Sequence, residues 1–107
     1  METPRPSAAS IRYKGRREMR NLAMSAVSAL EQGGLRDLLD DLQHRVFDRD
    51  TEELCDTERL TDGLVRFSYK PMVELLLREI AGVMRSRDLS RDEQRSRISW
   101  ALDVAGF

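Results

Sequence analysis

The sequence predicts an all-α fold, a small bundle of four to five helices. Leu, Ala, Met, Glu and Arg dominate the composition, whereas β-branched and aromatic residues are sparse, and this bias favours helix over strand. Apolar residues recur at intervals of three and four, as one face of a helix requires. No segment shows the alternation of period two that is typical of a half-buried strand.

The length of 107 residues is near the commonest size of a single domain, and 40% apolar content limits the chain to one modest core. Residues 1–10 hold two of the three prolines and little that could be buried. We therefore expect residues 1–15 to be a disordered or partner-ordered tail. Residues 16–107 are predicted to form a single helical interaction domain.

The first two predicted helices form a hairpin. The first begins at about Arg16 and ends at Gly33-Gly34, because glycine accepts the left-handed conformation that follows many helices. The second runs from about Leu35 to Asp48, and a link of two glycines is short enough to require a tight corner. Residues 48–57 are acidic and are predicted to form a loop or a short helical turn. A short helix is expected over 58–67, with Gly63 as its weakest position.

Two more helices complete the prediction. Pro71 suits the first turn of a helix, where its missing N–H would be unpaired in any case. This helix, over 71–85, is the most apolar in the chain, and Leu75 adds a further flank beside its main apolar seam. Ser90 and Glu93 match the S-x-x-E capping box and open a last helix that ends near residue 105, with Trp100 and Val104 to one side.

The net charge of −1 is unevenly distributed, since residues 1–36 carry +4, residues 37–62 carry −7 and residues 63–107 carry +2. Only the short segment 11–17 resembles a basic patch, which disfavours nucleic acid as a partner. Its basic residues are candidates for contacts with phosphate or with an acidic partner: Arg12, Lys14, Arg16 and Arg17.

No catalytic, cofactor or metal site is predicted. Asp48, Asp50 and Glu52 begin like a calcium loop, but Glu53 replaces the required glycine and Arg59 replaces the bidentate glutamate. The adjacent carboxylates of the chain point to different sides of a helix and make poor acid–base pairs. We therefore expect the protein not to be an enzyme.

The single histidine and the single cysteine suggest no chemistry either. His44 has no second histidine or spaced cysteine to complete a zinc site, so solvated helix surface is the favoured interpretation. Cys55 has no adjacent histidine or cation to activate it and cannot form an intrachain disulfide. With no secretory signal and no apolar run long enough for a membrane span, the expected location is cytoplasmic.

The segment over 17–47 resembles the N-terminal dimerisation domain of the centrosomal FOP and plant TONNEAU proteins. Arg17-Glu18-Met19, Leu30-Glu31, Gly34-Leu35 and Val46-Phe47 follow that family's order, with one residue fewer at the turn. The helix over 71–83 is similar in apolar spacing to the family's LisH-like helix, although Lys70-Pro71 replaces its usual Gly-Arg. The resemblance implies a homodimeric or hetero-assembled module of the centrosome, basal body or flagellar axoneme, in a microtubule-associated complex.

The predicted function is thus a non-catalytic dimerisation or adaptor module, because we expect the apolar residues to be more numerous than so small a chain can bury. Enclosure of Leu76 and Phe47 within a single chain would count against this argument. Trp100 is either the lid of the core or an exposed anchor. An alternative is a small regulatory subunit that docks a larger protein or nucleoprotein complex through the basic leader and acidic middle. The predicted interface residues are Leu35, Leu38, Leu42, Val46, Phe47, Met72, Val73, Leu76, Leu77, Ile80, Val83 and Trp100.

Overall fold

The protein combines helices with a three-stranded mixed sheet, so the predicted all-α helical bundle is wrong. The computed structural model describes residues 12–61 and 63–107, and of Arg12 only the backbone. Residues 1–11 of the predicted tail lie outside the described residues. In chain order the elements are β1 (Arg12–Lys14), α1 (Arg16–Gln32), α2 (Arg36–Leu42), a π-helical turn (Gln43–Phe47), α3 (Thr51–Leu54), β2 (Cys55–Thr61), β3 (Leu64–Tyr69), α4 (Pro71–Arg85) and α5 (Arg91–Val104).

The four long helical predictions are confirmed. The first helix ends before Gly33, and Gly34 adopts a positive φ of 73°. The second runs through α2 and continues as the π-helical turn to Phe47. Pro71 occupies the first turn of α4. Ser90 and Glu93 form the reciprocal capping box at the start of α5.

The helix predicted over 58–67 is wrong, because this segment forms the β2–β3 hairpin. Cys55 lies opposite Tyr69 and Thr61 opposite Leu64, with an irregular register between Arg59 and Thr61. Leucine, valine, phenylalanine and tyrosine in β3 suit a pleated strand. The sequence Asp62-Gly63 between two apolar-containing segments is a strong hairpin signal, and Gly63 has a φ of 72°.

The strand β1 is the third member of the sheet. It pairs in parallel with β3, so that β3 is the central strand of the sheet. Gly15 joins β1 to α1 with a φ of 91°, and a Cβ at this position would clash with the Phe67 carbonyl oxygen. Glycine is therefore required here both by the backbone conformation and by the close approach of β3.

One apolar core fills the space between the long helices. It takes residues from α1, α2, the π-helical turn, α4 and α5, whereas Cys55 is the only buried strand residue among those described. Helix α5 is also tied by polar contacts to α2 and to the residues that flank it. Arg91 donates to the Gly33 carbonyl, Arg95 pairs with Asp37, and Arg45 pairs with Asp103 at 3.0 Å. Each of these pairs is 58 residues apart in sequence, so the two helices run parallel.

Candidate docking surfaces

Most of the predicted interface residues lie inside the core of the chain itself. Nine of the twelve are buried, and Leu76 is only 2% exposed. Phe47 is half-buried and packs against this core. The premise that these helices carry more apolar surface than one chain can cover therefore fails for the nine residues Leu35, Leu38, Leu42, Val46, Val73, Leu76, Leu77, Ile80 and Val83.

The other two predicted residues, Met72 and Trp100, are exposed on neighbouring helices. Together with Leu75 and Val104 they form a surface that we call the α4–α5 face. The exposed fractions are 47% for Met72, 62% for Leu75, 67% for Trp100 and 53% for Val104. A shallow groove of about 200 Å³ runs between these side chains, and Glu79 also lines it.

Sequence reasoning placed Leu75 and Val104 beside the main apolar seams but did not include them in the interface. The available signal was a second stripe on α4, since Met72, Leu75 and Glu79 follow the spacing i, i+3, i+7. Trp100 and Val104 are one turn apart on α5. Both stripes become recognisable as one surface only when the packing of the two helices is known.

The predicted basic residues do not form one surface. The side chain of Arg12 lies outside the described residues, and Arg17 is exposed. Lys14 lines a cleft between α1, β3 and α4 that also contains Glu18 and Glu74. Arg16 lines a different cleft, together with Arg20 and Arg49.

We call this second cleft the arginine cleft. Its three arginines lie above an apolar floor from α1, the π-helical turn, α3 and β3. The volume is about 330 Å³, and Thr51 and Cys55 complete the lining. The apolar floor consists of Met19, Phe47, Leu54, Phe67 and Tyr69. This cleft was not found from the sequence, because its residues come from three separate segments of the chain, 16–20, 47–55 and 67–69.

Among the residues that the structure describes, the titratable groups form no arrangement that is typical of a catalytic site. His44 Nδ1 lies 3.1 Å from Asp48 Oδ2, and the Gln43 amide donates to the same carboxylate at 3.0 Å. The hydrogen bonds from Gln43 and then His44 lower the pKa of Asp48 below its ordinary value. All three side chains are exposed, and this arrangement is typical of a solvated helix end.

Burial raises the pKa values of two titratable side chains that line the arginine cleft, Cys55 and Tyr69. Desolvation, followed by the charge of Asp56, raises the pKa of the Cys55 thiol, which disfavours the nucleophilic thiolate. Desolvation also raises the pKa of Tyr69, so its hydroxyl stays protonated. Within 12–61 and 63–107, no group of three or more His, Cys, Asp or Glu residues could hold a metal ion.

A scan against protein-family models, a search of curated proteins and a search of solved structures each found no match. The resemblance to the centrosomal family therefore stays a prediction drawn from the quoted residues. None of the helices in the described part of the chain has the length and apolar character needed to cross a membrane.

Proposed function

We propose that the chain is a non-catalytic protein-interaction module that self-associates through the α4–α5 face. One observation carries the proposal. Of the six large hydrophobic residues that are exposed among those described, four lie together on this face, whereas Tyr13 and Met24 lie elsewhere. Clustered apolar side chains of this kind mark contact surfaces more often than scattered ones do, and tryptophan is enriched at binding hot spots.

Charge complementarity favours a second copy of the chain as the occupant. Glu79 lines the groove on the α4 side, and Arg97 lies one turn before Trp100 on α5. Neither side chain forms an ion pair within the part of the chain that the structure describes. A surface that carries one acid and one base beside its apolar centre can pair with itself about a two-fold axis.

The expected dimer is weak, because the four side chains form a small patch. Interfaces below about 1,200 Å² of total buried area are typical of transient complexes. We therefore expect a dissociation constant in the micromolar range.

Sedimentation velocity from a few micromolar to a few hundred micromolar tests this proposal. The wild-type chain should shift from monomer to dimer, and Trp100→Glu and Leu75→Glu should abolish the shift. Met24→Glu is the matched control, because Met24 is 53% exposed on α1 and lies outside the face. Circular dichroism would verify that all variants are folded.

A charge swap tests directly whether Glu79 of one copy pairs with Arg97 of the other. Glu79→Arg and Arg97→Glu should each weaken the dimer, and the double variant should recover it, because each side chain would again meet its opposite. A wild-type chain that stays monomeric throughout, or apolar variants that dimerise like the wild type, would overturn the proposal.

The setting of this assembly is proposed from the sequence resemblance alone. The resemblance implies the centrosome, basal body or axoneme, and microscopy of the tagged chain in its native cell would test it. A diffuse distribution with no filamentous or centriolar pattern would count against this setting.

A further inference from the structure

The arginine cleft has the features of a second binding site that uses no residue of the α4–α5 face. Its volume of about 330 Å³ is at the lower end of the range for ligand pockets and is large enough for one bulky side chain with its flanking backbone. Phe47, Phe67 and Tyr69 are only half-buried, so aromatic surface remains accessible in its floor.

Two of the three arginines lie over aromatic rings. The Arg16 guanidinium lies 5.2 Å from the centre of the Tyr13 ring and 5.6 Å from that of Phe67. Arg49 lies 4.8 Å from the centre of the Phe107 ring, and its Nε donates to the Arg45 carbonyl at 2.7 Å. Stacked guanidinium groups keep N–H donors for a carboxylate and lose less side-chain freedom when they bind one.

The charged side chains that line this cleft are all arginines. No carboxylate lines it among the described residues, and Arg16 and Arg20 form no ion pair there. Arg49 lies 3.6 Å from Glu53, which is outside the lining. The Tyr69 hydroxyl makes no side-chain hydrogen bond to another described residue, so it adds a neutral donor.

We infer that the arginine cleft binds an acidic peptide segment of a partner protein, with one aromatic or large aliphatic side chain inserted against Met19, Phe47 and Phe67. The carboxylates of the segment pair with Arg16, Arg20 and Arg49, which suit bidentate contacts. The combination of an apolar floor and a basic rim selects a ligand that carries both features.

The surroundings of the cleft favour a short peptide over a nucleic acid. The adjacent α3 and β2 carry Glu52, Glu53, Asp56 and Glu58, all exposed. A continuous polyphosphate strand that left the cleft on this side would meet these carboxylates, and like charges in proximity oppose binding. A peptide can end, or change its charge, before it reaches them.

Fluorescence anisotropy with a labelled seven-residue peptide tests the inference. The peptide has a central phenylalanine flanked on each side by three acidic residues, and a matched peptide carries alanine in place of phenylalanine. We expect the wild-type chain to bind the first peptide with micromolar affinity, to bind the alanine peptide at least tenfold more weakly, and to lose affinity as salt rises.

The double variant Arg16→Glu, Arg20→Glu should lower the affinity for the phenylalanine peptide by tenfold or more. The matched control is Arg36→Glu, Arg87→Glu, which makes the same change in charge at exposed positions outside the cleft and should bind like the wild type. Chemical-shift changes on binding should include the amides of Met19 and Tyr69. The same titration with Leu75→Glu separates this site from the α4–α5 face, because that variant should still bind the peptide.

Three results would overturn the inference. The first is equal binding of the peptide by the wild type and the cleft double variant. The second is equal affinity for the phenylalanine and alanine peptides, which would show that the apolar floor plays no part. The third is tighter binding of a single-stranded oligonucleotide than of the peptide at the same salt concentration, which would assign the cleft to nucleic acid.

Discussion

The long helices and the sheet of this protein are packed to very different extents. Helices α1, α2, α4 and α5 enclose a core in which leucine and isoleucine side chains are completely buried, among them Leu30, Leu77 and Ile80. In β3, which is the central strand, Leu64, Val65, Phe67 and Tyr69 are all only half-buried. The edge strand β2 is exposed along most of its length. The stability of the chain therefore resides mainly in its helices.

This difference separates the parts of the molecule that hold it together from those that can make contacts. Because the helical core is closely packed, a substitution that removes side-chain volume from it destabilises the whole fold. The half-covered aromatic residues of β3 instead provide the floor of the arginine cleft. Three substitutions test this difference in packing.

The largest effect is expected from a cavity in the helical core. Leu77→Ala removes a side chain that is 0% exposed and should lower the free energy of unfolding by about 3 kcal/mol, from lost transfer energy and the cavity left behind. Urea unfolding followed by circular dichroism measures the change. Leu75→Ala, two positions earlier on α4, is the control and should cost less than about 0.5 kcal/mol. Equal losses at the two positions would contradict the assigned packing.

A smaller but still large effect is expected where the sheet joins the helices. Gly15→Ala places a Cβ against the Phe67 carbonyl and strains a positive φ, so we expect a loss of about 2 kcal/mol in the free energy of unfolding. Gly82→Ala is the control, because a Cβ there meets nothing within 4 Å and replaces glycine inside α4. That variant should be more stable than the wild type by about 0.5 kcal/mol. A tolerated Gly15→Ala would mean that β1 does not dock as described.

The smallest effect is expected from a signal that is local to one helix. Ser90→Ala removes the side-chain acceptor for the Glu93 N–H and should destabilise the chain by about 1 kcal/mol. Ser96→Ala, at an exposed position inside α5, should change stability by less than about 0.5 kcal/mol. Thermal unfolding of the two variants makes the comparison. If Ser96→Ala cost more than Ser90→Ala, the capping box would not be what fixes the start of α5.

The helices were predictable because their signals are local. Gly33-Gly34, Pro71 and the Ser90–Glu93 box each act within a few residues of the helix end that they define. The hairpin was missed although Asp62-Gly63 is a local hairpin signal, because the segment before it does not resemble a strand. The strand β2 buries only Cys55, so its sequence carries no apolar alternation, and it is a strand because β3 pairs with it.

The docking surfaces were only partly predictable. Met72 and Trp100 were named from the sequence, but the nine buried residues of the predicted interface have the same apolar spacing as exposed ones would. Periodicity gives the apolar face of a helix and does not say what covers it. The arginine cleft could not be found at all, since Arg16, Arg49 and Tyr69 are brought together only by the packing of α1 against β3 and the π-helical turn.

The ends of the long helices and their apolar faces can be deduced from the sequence, because both depend on side chains within one or two turns. Long-range packing determines that Cys55–Thr61 and Leu64–Tyr69 pair as strands, that most of the apolar positions are covered within one chain, and that Leu75 and Trp100 remain exposed side by side. These outcomes depend on contacts between segments far apart in sequence. Such contacts arise from how the whole chain distributes a limited amount of apolar surface, and no local pattern records that distribution.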